Sequence, residues 1–511
     1  MMKRSNTVAR VMLALTAFFF TSSLFAQFTL TGQYRTRTEL RAGQGTLPQA
    51  GYEPTLFTNS RLRLNVGLTA DRFKFFASIQ DIRTWGQDAS TISNLDGSRL
   101  FMHEAWGEVQ INDSTFLKKV DFLGFKVGRQ EIMYDDSKLL GNLDWLQQGR
   151  SHDAIVLKFA EKAWRADAGF AFNQSREYKN TGTVYTGVPA AQLGPDGLPI
   201  QAAAGTNGIG VMYKAMQYLY VSKEFGFTKI TGLYFNENFQ KRNGANTAYI
   251  PGTNNRTTVG LSVYGTLFRK HKIDGQAFYQ GNEDKNGKTM DGYMFSLSTQ
   301  FAVGRKLMTG PGADFLSGNN TMDSTSKVNR SFDPLYGTPH KFWGFMDYFY
   351  VADPYGLQAA NGSANRLSPG LIDLYWKSKY RLRDNLILTL DIHEFFAGNQ
   401  VANIATAADK SDKMNTRLGT EIDFVLNYNL TKAVGFEFGY SAMFGTETLS
   451  ALKLPVNTAT KGKYLTGQWA YVMINIRPDF TNMLNTGMKD MKKSIDELNK
   501  KVAALEAPSQ F

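Results

Sequence analysis

Arginines and lysines that recur at every second residue are the groups in this 511-residue chain best placed to do chemistry. Arg35 and Arg37 are followed by Arg61 and Arg63, and far downstream come Lys377, Lys379, Arg381 and Arg383. A spacing of two puts such side chains on one face of a β-strand. A guanidinium grips a carboxylate through two parallel hydrogen bonds. Rows of Arg and Lys against a low-dielectric wall select anions by their field. The chemistry implied is recognition and passage of anions. Glu39, Asp274, Asp373, Asp391, Glu421 and Asp423 fall on the corresponding faces, so internal pairing can offset part of that charge.

A second charged group lies within Val120–Phe159. Two alternating segments, Val120–Ile132 and Ala154–Phe159, flank a loop region with Arg129, Asp135, Asp136, Asp144, Trp145, Arg150 and Asp153. Charges gathered where apolar strands end suit a constriction inside a barrel whose outer wall stays apolar.

Bond-making chemistry has little material. The chain has no cysteine and five histidines, so it holds no disulfide, thiolate nucleophile or thiolate metal site. His103-Glu104, His152-Asp153 and His393-Glu394 are adjacent pairs, and neighbours on a strand point to opposite faces unless a bulge intervenes. Ser151-His152-Asp153 is consecutive, whereas triad members converge from separate segments. We expect no catalytic residue, no metal and no cofactor.

The elements that must position the charges are strands. Leu62, Leu64, Val66 and Leu68 alternate with Arg61, Arg63 and Asn65. Ile372, Leu374, Trp376, Tyr380 and Leu382 alternate with Asp373, Tyr375, Lys377, Lys379, Arg381 and Arg383. These runs exceed the roughly 5–6 residues usual for globular strands and match the roughly 9–11 that a tilted strand needs to cross a bilayer. About 18 such segments begin near residues 28, 59, 72, 103, 120, 154, 163, 211, 227, 257, 271, 290, 305, 371, 385, 417, 433 and 466. The segment near 305 is the weakest, and Trp343–Val351 reads as either a strand or a loop element. Tight turns at Asp71, Gly226, Lys270 and Asp384 alternate with long polar loops such as Tyr134–His152 and Leu316–Phe342. Short turns on one rim and long loops on the other predict an all-β fold, a transmembrane antiparallel barrel over residues 27–478. The 13% aromatic content and 47 glycines suit it.

Two segments lie outside the barrel. Lys3, Arg4 and Arg10 precede the apolar run Val11–Phe20, and the small residues Ser22, Ser23 and Ala26 lie near a cut after Ala26, with Leu24 a poor fit to the cleavage pattern, which predicts a signal peptide over residues 1–26. From Leu484 the apolar residues Met488, Met491, Ile495, Leu498, Val502 and Leu505 keep a 4-3 spacing. That seam over residues 484–505 predicts a helical tail (residues 479–511). It either self-associates as a coiled coil or packs as a single helix on the periplasmic rim of the barrel. The formal charge of +12 would suggest nucleic acid in a cytosolic protein. In an exported chain it points instead to outer-membrane lipid phosphates and to an anionic small molecule or polysaccharide, with no nucleic acid.

The ordered motifs along the chain resemble the alginate-export porin family. They are Gln80-Asp81-Ile82-Arg83, then Gly128-Arg129-Gln130, Asp144-Trp145 and Gln148-Gly149-Arg150-Ser151-His152-Asp153. Ala313-Asp314 through Asn319, Ser331-Phe332-Asp333-Pro334-Leu335-Tyr336, His340 and Gly344-Phe345-Met346-Asp347 follow. The resemblance implies an 18-stranded outer-membrane barrel with a positive constriction that passes an anionic polymer. It implies constriction or supporting roles for Arg129, Arg150 and Asp153, with Asp81 and Arg83 beside them. Strict alternation puts Arg129 on the face of Phe125 and Val127, and Asp81 on that of Ile79, so a bulge or a rim position is needed. The helical tail is a departure from the family pattern. An alginate-like polyuronate channel and a general or small-anion porin both fit; a tethering barrel that works through its tail also remains.

Overall fold

The computed structural model describes residues 27–48, 51–86, 100–173, 213–242, 249–267, 271–323, 325–349, 368–403, 412–453 and 465–506. The signal peptide expected at residues 1–26 lies outside them.

Eighteen strands form one closed antiparallel sheet. They are β1 (Gln27–Ala42), β2 (Thr55–Thr69), β3 (Phe73–Thr84), β4 (Phe101–Gln110), β5 (Phe122–Gln130), β6 (His152–Glu161), β7 (Trp164–Phe172), β8 (Ala215–Phe225) and β9 (Thr228–Arg242). Then come β10 (Tyr249–Leu267), β11 (His271–Asn282), β12 (Gly292–Val303), β13 (Leu307–Leu316), β14 (Leu371–Arg383), β15 (Leu386–Ala397), β16 (Arg417–Asn429), β17 (Val434–Gly445) and β18 (Thr466–Ile476). Each strand pairs with the next, and β1 closes on β18 with Tyr34 opposite Ile476. The weak segment near 305 is β13. Trp343 to Phe349 lies outside the barrel strands. Among the described residues no helix is long and apolar enough to cross a membrane.

Period-two alternation explains the wall. Leu62, Leu64, Val127, Leu157, Leu261, Leu297 and Leu374 are exposed on the outside, where a bilayer would cover them. Phe73, Trp164, Phe225, Tyr428 and Phe436 are exposed outward toward the short-turn ends, as an aromatic girdle requires. The opposite face is buried and on several strands charged: Arg35, Arg37 and Glu39 on β1, Arg61 and Arg63 on β2, Asp373 on β14, Glu421 and Asp423 on β16; on β6, β8 and β9 it carries apolar Val156, Met216 and Phe235.

Those inward residues are buried because the barrel is filled. The connection from β5 to β6 (residues 131–151) and residues 331–349 of the connection from β13 to β14 fold into the lumen. Leu139, Leu140, Leu143, Leu335, Tyr336, Trp343, Met346, Tyr348 and Phe349 make an apolar core there. Both loops carry left-handed non-glycine residues: Asp135 (φ 56°), Leu143 (φ 53°), Leu335 (φ 54°) and Asp347 (φ 58°). A bulky residue in that region is strained, and the strain is held by the contacts around it.

The described residues also include a single 3-10 turn at Pro339–Lys341 and two α-helices. Helix α1 (Glu447–Lys453) lies between β17 and β18, and α2 (Phe480–Glu506) follows β18 at the short-turn rim.

Candidate functional site

Asp144, from the β5–β6 loop, is the hub of the first basic row. Its carboxylate lies 3.1 Å from Arg35 Nη1, 2.7 Å from Arg61 Nη1 and 3.3 Å from Arg63 Nη1. The adjacent β1 and β2, paired with Arg35 opposite Arg61, aim these guanidiniums at one point. Gln147 and the Leu146 carbonyl accept further bonds from Arg35, and the Gln147 carbonyl accepts one from Arg61. Burial pushes the Asp144 carboxyl up, but Arg61, Arg35 and Arg63 outweigh it and hold it below the usual carboxylate range. Positive charge still exceeds negative at this point. Arg61 Nε and Arg63 Nη2 are buried without a hydrogen-bond partner. The Asp144 side chain is 40% exposed, so the cluster borders open lumen.

Arg37 begins an aromatic stack. Its guanidinium lies 4.0 Å from the Trp145 ring centroid, Trp145 stacks on His340 at 3.9 Å, and His340 stacks on Phe345 at 5.0 Å. Glu39 and the Trp145 carbonyl hold the guanidinium, and Asp347 bonds His340 Nδ1 at 2.7 Å. The stack joins β1 to both lumen loops.

The loops are fastened to the rest of the wall by buried charge. Lys138 pairs with Asp314 at 2.9 Å, both almost wholly buried, and Trp343 donates to the same carboxylate at 2.8 Å. Arg256 bridges Glu237 at 2.7 Å and Asp333 at 2.6 Å, while Tyr336 donates to Glu237 at 2.7 Å. Asp135 accepts from Tyr220, Lys229 and Thr231. Arg150 joins the loops to each other by donating to the carbonyls of Gly141, Tyr336 and Gly337.

The second basic row behaves differently. Lys377 pairs with Asp391 at 3.4 Å and donates to the Lys341 carbonyl. Lys379 and Arg381 follow on the same face of β14, exposed, and neither has an ion-pair partner among the described residues. Arg383 lies exposed beyond a register shift, at the turn. This row lines the lumen toward the short-turn rim.

Next to it lies an acidic patch that alternation placed inward but whose burial only the loops create. Asp391, Glu421 and Asp423 each have a buried oxygen without a partner. Glu421 also accepts from the Met346 N–H at 2.7 Å. Gly344 is needed for this approach, because a Cβ there would lie 2.6 Å from the Glu421 carboxyl. Neighbouring buried carboxylates repel. Glu421→Gln should therefore keep or raise the midpoint of heat-induced unfolding on gels. Glu421→Ala, which orphans the Met346 N–H, should lower stability by about 1–3 kcal/mol.

Four of the residues expected near the constriction are elsewhere. Asp81 pairs with Arg83 at 2.7 Å, and Arg129 with Asp153 at 3.2 Å. Asp81 sits opposite Leu62, and Asp153 opposite Arg129, beside the outward Val127–Ile155 pair. All four are on the outer face, near the long-loop rim. The pore-lining role implied by the resemblance is thus corrected: no bulge re-aims them, and period two prevails. A bulge does occur at the start of β4, where the register shifts against Ser78 and Ile79. It brings His103, Glu104 and Glu131 together, with His103 Nε2 2.8 Å from Glu131. The Arg63 guanidinium, 3.9 Å from Glu131, already supplies a cation there. The other adjacent pairs do split across the wall: His393 is buried on Asp373, while Glu394 pairs with Arg417.

Residues 26–172 are similar to the alginate-export family. The matched segment spans β1 to β7, including both arginine pairs and the Asp144 loop. No curated protein matches the chain in sequence. Solved structures with the same fold include OccAB2 of Acinetobacter baumannii, with 12% identity, 89% of this chain and 98% of that chain covered, and a TM-score of 0.52. OccK3 (OpdO) of Pseudomonas aeruginosa gives 9% identity, 88% and 96% coverage and a TM-score of 0.53. OccK2 (OpdF) of the same organism, solved in complex with glucuronate, gives 10% identity, 89% and 96% coverage and a TM-score of 0.51. The barrel therefore has the outer-membrane porin fold.

Proposed function

We propose that the chain is an outer-membrane channel that passes carboxylate-bearing sugars or short anionic polysaccharides by passive, charge-selected diffusion. One observation carries the reading. Lys379 and Arg381, without an ion-pair partner among the described residues, lead inward to a lumen where three arginines share the carboxylate of Asp144. A uronate carboxylate suits bidentate guanidinium recognition. The glucuronate bound to the similarly folded OccK2 belongs to the same chemical class. The matched alginate-export segment supports a polyuronate over other anions. Channel function requires no catalytic group, metal or cofactor.

A small-anion porin is the second reading. It is favoured by the two loops that fill the lumen and narrow the path. Conductance of the purified chain in a planar bilayer under a salt gradient separates the two. The current should reverse toward the anion's equilibrium potential, and added oligouronates should block it. Anion preference without block would favour the small-anion porin; cation preference would defeat both readings. Replacing Lys379 and Arg381 with Ser should lower the anion-to-cation permeability ratio by at least about twofold, since the field of the row is lost.

A further inference from the structure

Helix α2 leaves the barrel with an uncovered apolar seam. Its start is fixed: Asp479 caps it by accepting from the Asn482 N–H at 2.9 Å, and Thr481 donates to the Leu30 carbonyl. The Phe480 ring packs over Gly32, and the Gly32 N–H donates to the Pro478 carbonyl at 3.0 Å. These contacts tie the first turn to the foot of β1. From that turn the helix, 27 residues in all, extends about 40 Å at 1.5 Å per residue. Met491, Ile495 and Leu498 are 64%, 51% and 64% exposed. A helix packed on the rim would cover that face.

We infer that α2 pairs with α2 of a second copy as a parallel two-stranded coiled coil projecting from the short-turn rim. The sequence places Ile495 and Val502 at the a positions and Leu498 and Leu505 at the d positions. β-Branched residues at a with Leu at d favour two parallel strands over three or four. The barrel imposes the same direction. Two copies inserted alike in one membrane both send their helices from the same rim, so only the parallel pairing is open to them. Charge agrees, because the heptad register puts Lys501 at g and Glu506 at the following e, the positions that face each other in a parallel pair. The helix stands at the foot of β1 in the wall, so the two barrels lie side by side about an axis near that strand.

The absence of cysteine makes the test direct. In Leu498→Cys the new thiols face each other across the seam, within the roughly 4.4–6.8 Å Cα separation a disulfide allows. In Lys493→Cys they point away. Mild oxidation of the full-length protein in detergent should give at least about tenfold more covalent dimer from Leu498→Cys than from Lys493→Cys. Light scattering of the unmodified chain should give twice the protomer mass. The double substitution Ile495→Lys, Leu498→Glu should give a single protomer mass with the barrel still heat-modifiable on gels. A single protomer mass for the unmodified chain, a threefold mass, or equal cross-linking at both positions would overturn the inference.

Discussion

Replacing Lys138 with Met should detach the lumen loops while the barrel stays folded. Lys138 reaches from the β5–β6 loop to Asp314 on β13, and the side chains are 3% and 1% exposed. Removing one partner of a buried pair leaves the other charge desolvated, at a cost of about 3–5 kcal/mol. Asp314 keeps its bonds from Ser296 and Trp343, but neither donor carries a charge. The strain at Asp135 and Leu143 then loses one of its restraints. The cost falls on loop docking, because the hydrogen bonds between β12, β13 and β14 do not involve Lys138. Single-channel conductance should rise, and protease should cut the loop between residues 131 and 151 faster, with no loss of the heat-modifiable barrel. Adding Asp314→Leu to Lys138→Met should recover most of the docking, since an apolar pair can replace a buried ion pair with little loss. If the double variant is as open as the single one, the pair does not fasten the loops.

How much of this could be read from sequence follows from the range of the forces involved. Strands were legible because alternation is local. The expected starts at 271, 371, 417 and 466 coincide with those of β11, β14, β16 and β18, and the largest miss, at 257 against Tyr249, falls where β10 extends past its regular register into a loop. The inward facing of Arg35, Arg61 and Lys377 follows from the same period. Their partners do not, because Asp144 is 109 residues from Arg35 in sequence and no periodicity connects a loop to a wall. Arg129 and Asp81 show which signal to prefer. Parity placed them outward and the family resemblance placed them near the pore; the backbone obeys parity. The resemblance was more informative about the second loop, since Asp333, Tyr336, His340 and Asp347, all within its motifs, make the lumen contacts. Lys138 had no signal at all, being a lone lysine in a polar loop.

Replacing Asp144 with Ala should have the largest effect on selectivity. Arg35, Arg61 and Arg63 would lose the one carboxylate they share. Three like charges on paired strands then repel, with only Glu131, 3.9 Å from Arg63, left to offset them, and because Asp144 is 40% exposed the cost stays below the roughly 3–5 kcal/mol of a fully buried pair. The loop tip from Leu143 to Arg150 loses its charged anchor to β1 and β2 and keeps only hydrogen bonds through Trp145, Leu146 and Gln147, so water and anions gain access to the guanidiniums. Conductance should rise, and anion preference should rise with it, which separates this variant from one that merely widens the pore. Asp144→Asn should open the channel less, because the amide oxygen still accepts one of the bonds. Acid tests the same anchor without mutation. The folded-state pKa of Asp144 lies below its unfolded value near 3.9, so its contribution is complete above about pH 4 and is lost only as pH falls through the lower folded value. Conductance carried by the unmodified chain should therefore be steady from pH 7 to about pH 4 and rise below it. The Asp144→Ala channel, already released, should lack that step. An acid step of equal size in both would move the anchor to another carboxylate, with Asp135 and Asp333 the next to replace.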